Sequence, residues 1–108
     1  MTKHADAILA RIQEAITTGQ VKISLHAAEE ALTKEISRAE ILETLQNAVI
    51  LEDYPTWWLG PCCLLYGQTK TGRHLHIISS YSHLPVTIVT VYEPGQPKWI
   101  TPTQRRQA

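Results

Sequence analysis

The sequence has no excess of charge of either sign: Lys and Arg number 10, Asp and Glu number 10, and the formal net charge is zero. That balance disfavours tight non-specific binding to nucleic acid, which is mostly phosphate neutralisation; a local basic patch is still compatible with it. No apolar run is long enough to span a membrane. The N-terminal Met1-Thr2-Lys3-His4-Ala5-Asp6 leads into an amphipathic pattern and not an apolar signal core. A cytoplasmic protein with no membrane partner is therefore expected. Cysteine is confined to the adjacent pair Cys62 and Cys63. Neighbours in a strand point to opposite faces, so a disulfide between them would be strained. They read as two small apolar residues in a reducing compartment. Cys-x-x-Cys and His-Glu-x-x-His are both missing, and there is no internal repeat.

What is present suffices for one core. With 108 residues and 44% apolar content, the chain reads as a single domain over residues 1–108 that needs no metal or staple to fold. Ile8, Ile12, Ala15 and Ile16 make one stripe of a helix over about residues 5–18, which Gly19 can stop. Val21 to Leu25 alternates as a short strand or extended segment. A second, short helix is expected over about residues 26–33 on Ala27, Ala28, Ala31 and Leu32. Ser37-Arg38-Ala39-Glu40 is a capping box, with Ile36 placed to staple onto Ile41, and this third helix runs to about Asn47 or Ala48.

Strand character begins at Val49 and Pro55 ends it after Tyr54. A loop with Trp57 and Trp58 follows. Three further strands are expected over Cys62–Gln68, Arg73–Ser79 and Val86–Tyr92, the first two joined by a Gly-containing hairpin at Lys70-Thr71-Gly72. Beyond Tyr92, Pro94, Pro97 and Pro102 imply irregular backbone, and residues 103–108 read as a frayed, basic tail. The class is α+β: a small, mostly antiparallel four-stranded sheet with N-terminal helices on one face. The other face must be solvated, paired with a partner or used as a site.

Chemistry-bearing residues gather in the sheet. On a strand His74 and His76 point the same way, about 7 Å apart, while Leu75 and Ile77 point into the core. With a third ligand such as His26, Glu93 or a cysteine they would chelate a metal. Arg73 starts the same strand, and Tyr92 sits where it can lie across from His76. An arginine for phosphate, a histidine for protons and a tyrosine to orient the nucleophile suit metal-independent RNA cleavage, in which a ribose 2′-OH attacks the adjacent phosphate. Tyr92 equally reads as a core-closing residue with its hydroxyl at the rim. His26, at a strand-to-helix junction, can cap backbone or face a cleft. Glu29 and Glu30 read as solvated helix charges, with Glu30 paired to Lys34 at i+4. Trp57 and Trp58 can stack on bases or fill a partner's groove.

A resemblance runs through Ser24-Leu25-His26-Ala27-Ala28-Glu29, Ile36-Ser37, Ile41-Leu42 and Leu51-Glu52-Asp53-Tyr54-Pro55. It continues through Gly72-Arg73-His74-Leu75-His76 and Thr90-Val91-Tyr92-Glu93-Pro94 to Trp99. In this order the chain, over about residues 21–100, resembles the bacterial domain-of-unknown-function family DUF4258, similar to RelE- and BrnT-like toxin folds in which a small sheet carries mRNA-cleaving residues. The resemblance implies His26, Arg73, His76, Tyr92 and Trp99 as motif positions, and His74 as none. Many members have arginines in the helix after the first histidine, where this chain has Glu30 and Lys34.

The leading expectation is a toxin-related, metal-independent ribonuclease acting on RNA or the ribosome. Its catalytic set would be His26, Arg73, His76 and Tyr92, with His76 as general acid or base, Arg73 on phosphate, and Tyr92 and His26 in support. No cofactor and no metal are called for. The alternative is a non-catalytic interaction module that binds an antitoxin-like protein or pairs as a homodimer. A His-based metal-binding domain is the third reading.

Overall fold

The computed structural model of the protein describes residues 3–95 and 99–105. Three helices come first: α1 (Lys3–Thr18), α2 (Leu25–Thr33) and α3 (Arg38–Gln46), with the short strand β1 (Val21–Ile23) between α1 and α2. Strands β2 (Val49–Tyr54), β3 (Cys62–Gln68), β4 (His74–Ser80) and β5 (Val86–Tyr92) follow, and then a two-stranded hairpin of β6 (Trp99–Thr101) and β7 (Gln104–Arg105).

The helices form where local chemistry starts and stops them. Ser37 accepts from the Glu40 N–H at 3.1 Å while the Glu40 carboxylate accepts from the Ser37 N–H at 2.9 Å, so both halves of the capping box are made. Ser24 caps α2 in the same way by accepting from Ala27 N–H. At the far end of α2, Glu35 takes a left-handed φ of 55°, and the N–H of Ile36 returns to the Ala31 carbonyl. Side chains then lock α1 in place. Gln13 donates to the last carbonyls of α3, at Leu45 and Gln46. At the other end His4 bonds Asp53, which also accepts from the Tyr81 hydroxyl.

The sheet has five strands in the order β1-β5-β4-β3-β2, and β1 pairs parallel with β5 through Val21–Val86, Lys22–Thr87 and Ile23–Ile88. This corrects the expected four-stranded sheet. A three-residue strand with one alternation carries too little pattern to reveal a partner 65 residues downstream. Parallel pairing also demands a crossover, supplied here by everything from α2 to β4. The remaining pairs are antiparallel.

One sheet face packs on the helices. Leu65, Leu75, Ile77, Ile88 and Val91 meet Ile8, Ile12, Ile41 and Leu45 in a single buried cluster. Burying each such side chain contributes about 1.5–3 kcal/mol. Ile88 and Val91 both reach this face although three apart, because the pairing of β4 with β5 shifts register between them. That shift also sets Tyr92 opposite His76 on the other face.

The far face is partly covered, and by the chain itself. Trp99, 3% exposed, and the β6–β7 hairpin lie over His76, which is fully buried. Residues 99–105 are therefore ordered structure where irregular backbone and a frayed tail are expected from sequence. The expectations at Pro97 and over residues 106–108 lie outside the described residues. No helix among the described residues is long and apolar enough to cross a membrane.

Candidate active site

β1 ends at Ile23 and leaves the outer half of β5 without a strand neighbour on that edge, and α2 takes that place. The turn is made by Ser24, whose N–H donates to the Ile88 carbonyl at 3.0 Å and whose hydroxyl donates to the Val89 carbonyl at 3.1 Å. The small residues Ala27 and Ala31 are buried and let the helix sit close. Glu30 then replaces the missing strand: its carboxylate accepts from the Val91 N–H at 3.1 Å and from the Thr90 hydroxyl. An edge N–H left bare would cost about as much as a lost hydrogen bond.

The same helix face presents His26, Glu30 and Lys34 at successive turns. His26 Nε2 lies 3.4 Å from Glu30 Oε1, with the histidine side chain 69% exposed. Between this face and the end of β5 opens a cleft of about 260 Å³, bordered by His26, Glu29, Glu30, Thr33, Lys34, Val91 and Tyr92. It holds an imidazole oriented by a carboxylate, a phenol and one ammonium, with no guanidinium.

Tyr92 belongs to this cleft and also to the far face of the sheet. Its hydroxyl is 3.1 Å from His76 Nδ1, and His76 Nε2 is 2.5 Å from the Pro102 carbonyl. The His76 ring stands edge-on to Trp99 at 4.4 Å. Burial pushes the His76 imidazole below its ordinary pKa, outweighing the Pro102 bond; burial likewise pushes the Tyr92 phenol up. Beside them Arg105 grips Glu52 through two bonds of 2.9 Å and lies 4.6 Å over the Trp99 ring. The Arg105 bonds hold Glu52 below the usual carboxylate range.

The structure thus brings three of the four sequence-selected residues together, with Tyr92 as the link between His26 and His76. Arg73 stands apart. Its guanidinium bonds Glu93 at 3.0 Å, the Lys34 carbonyl at 2.6 Å and the Glu35 carbonyl at 2.9 Å, and pairs with Glu40 at 3.5 Å. A cation on the last carbonyls of a helix is favourable, so Arg73 pins the C-terminal end of α2. His74 is exposed and bonds the Tyr66 hydroxyl at 2.7 Å. Among the described residues no three His, Cys, Asp or Glu side chains converge with ligand spacing, which leaves the His74–His76 pair without a third ligand.

Glu30, Glu52 and Arg105 are the contributors that sequence reasoning passes over. His26 and Glu30 four apart on a helix is a legible signal. Contacts of Glu30 with β5, or of Arg105 with β2, have no local trace.

A family model described as a domain of unknown function, DUF4258, matches residues 23–93. No curated protein and no solved structure matches. The matched segment carries α2, β4 and β5, and so both walls of the cleft; Trp99, Pro102 and Arg105 lie beyond it.

Proposed function

This chain belongs to the DUF4258 family, whose function is unknown, and from its own cleft we propose that it is a RelE/BrnT-like, toxin-related endoribonuclease that cleaves RNA without a metal. The observation that supports this reading is Tyr92: it faces His26 across one cleft while its hydroxyl is bonded to a second histidine, His76. Two proton-handling groups on either side of one space are what transfer within an RNA strand requires. The ribose 2′-OH gives its proton to the Tyr92 oxygen as the Tyr92 proton passes to His76 Nδ1. The 2′-oxygen bonds to phosphorus, the bond from phosphorus to the 5′-oxygen breaks, and His26, held by Glu30, protonates the departing oxygen. The products are a 2′,3′-cyclic phosphate and a 5′-hydroxyl, so no external reactant is consumed. The phosphate role expected of Arg73 passes here to Lys34, while Arg73 holds the helix that carries Lys34 and His26.

Purified full-length protein is expected to cleave free or ribosome-bound RNA in the presence of chelator. His26→Ala and Tyr92→Phe should each lower kcat by about 10²–10⁴-fold, the usual contribution of a positioned acid or base. Cleavage that survives both substitutions would sink this assignment.

A second reading, a cytoplasmic module that binds an antitoxin-like chain or a second copy, draws on a different surface. Trp58 is 81% and Leu59 66% exposed, and Leu59 borders a groove of about 360 Å³ with Cys62, Ser80 and Val89 on the uncovered half of the sheet. Light scattering after size exclusion, with Trp58→Ala alongside, tests it: self-association that the variant abolishes supports the module.

A further inference from the structure

The far side of the site closes with a bond whose direction can be deduced. A carbonyl oxygen only accepts, so the short contact between Pro102 and His76 Nε2 requires the proton on Nε2. His76 is fully buried, and among the described residues no carboxylate hydrogen-bonds its ring, so the ring is neutral and Nδ1 carries a lone pair. Nδ1 must then accept, and the Tyr92 hydroxyl must donate to it. The proton of Tyr92 points inward to His76, and the buried Trp99 indole lies beside the same phenol oxygen. One backbone carbonyl, on a loop between two very short strands, settles the whole chain of polarity.

That carbonyl has no covalent reason to be where it is. The hairpin is held down by Trp99 against the His76 ring and by Arg105, which lies over Trp99 and forks onto Glu52. Bidentate guanidinium–carboxylate pairing fixes geometry as well as energy. We propose that the β6–β7 hairpin, latched by Arg105 on Glu52, is a positioning strap that holds His76 in its Nε2–H tautomer and thereby fixes the direction of the Tyr92 hydroxyl. Arg105 and Pro102 touch no substrate; they act through His76. The catalytic consequence rests on the ribonuclease reading, whereas the tautomer control does not.

Arg105 and Glu52 are 44% and 31% exposed in their side chains, so replacing either leaves the core intact. The test is ¹⁵N NMR of the His76 imidazole in full-length protein, with Arg105→Gln and Glu52→Gln breaking the latch from opposite sides. Wild type should show one Nε2–H tautomer with a protected ring proton. Each variant should show Nδ1–H tautomer and faster exchange of that proton, by about fivefold, as expected for loss of an ion pair near the top of the exposed range. If RNA cleavage is present, kcat should fall in both variants with KM unchanged. A His76 ring that keeps its single tautomer and its exchange rate in both variants overturns the strap. Altered tautomers together with a wild type that cleaves no RNA would uphold the strap and remove the ribonuclease.

Discussion

A single carboxylate does two jobs at the rim of the cleft. Glu30 satisfies the Val91 N–H and the Thr90 hydroxyl of β5 and also steadies His26. Replacing it with alanine strands a backbone donor on a strand edge, at a cost of about 1–3 kcal/mol. Urea unfolding of Glu30→Ala should show that loss, and a midpoint equal to wild type would mean the edge is satisfied some other way. Only half of this role is legible in the sequence. The spacing of His26 and Glu30 places them on one helix face, whereas the partner on β5 is 60 residues away. Arg105 is the same lesson from the other end of the chain, a residue of an apparent tail that becomes a latch through Glu52. His76 and Tyr92 were easier, because strand alternation and pairing bring them together by rule.

At the level of elements, period and capping carried most of the information. The capping box at Ser37 and the bounds of β2, β3 and β5 are where the pattern puts them. β1 lies where the alternation of Val21 to Leu25 puts it, but its pairing with β5 and the β6–β7 hairpin escape, because strands of two or three residues hold too little periodicity to reveal a partner. Packing of α3 on β3 depends on Gly67, at which a Cβ would sit 2.5 Å from the Thr44 carbonyl oxygen. That neighbour is helix backbone and cannot swing away. Gly67→Ala should therefore push α3 outward and cost about 1–3 kcal/mol, readable as a lower thermal midpoint. An unchanged midpoint would show that α3 rides more loosely on the sheet. Arg73 works on the same scale, tying β4 to the end of α2 through two carbonyls.

The molecule as a whole should be less stable in acid, and in a definite order. The pKa of His76 is lowered by burial, so the unfolded chain binds that proton more readily than the folded one. Its contribution is complete above the ordinary value of 6.5 and drains away as pH falls below it. Glu40, held down chiefly by the Ser37 backbone bond, and Glu52 and Glu93, held down by Arg105 and Arg73, act later. Their contributions persist above 4.5 and are lost as pH falls through their lowered values. Between about pH 7.5 and about pH 5.5 the urea midpoint of the wild type should drop, and that of His76→Gln should hardly move. Equal drops would assign the acid sensitivity to other groups.

The pairing of β1 with β5 also sets a schedule. Val21 meets Val86, so α1, β1 and α2 leave the ribosome long before the strand that completes them exists. Contacts this distant in sequence form slowly, since the loop between them must close first. Neither wall of the cleft can take up its geometry until β5 has been made. The newborn chain is thus assembled around an opening that is among its last features to appear.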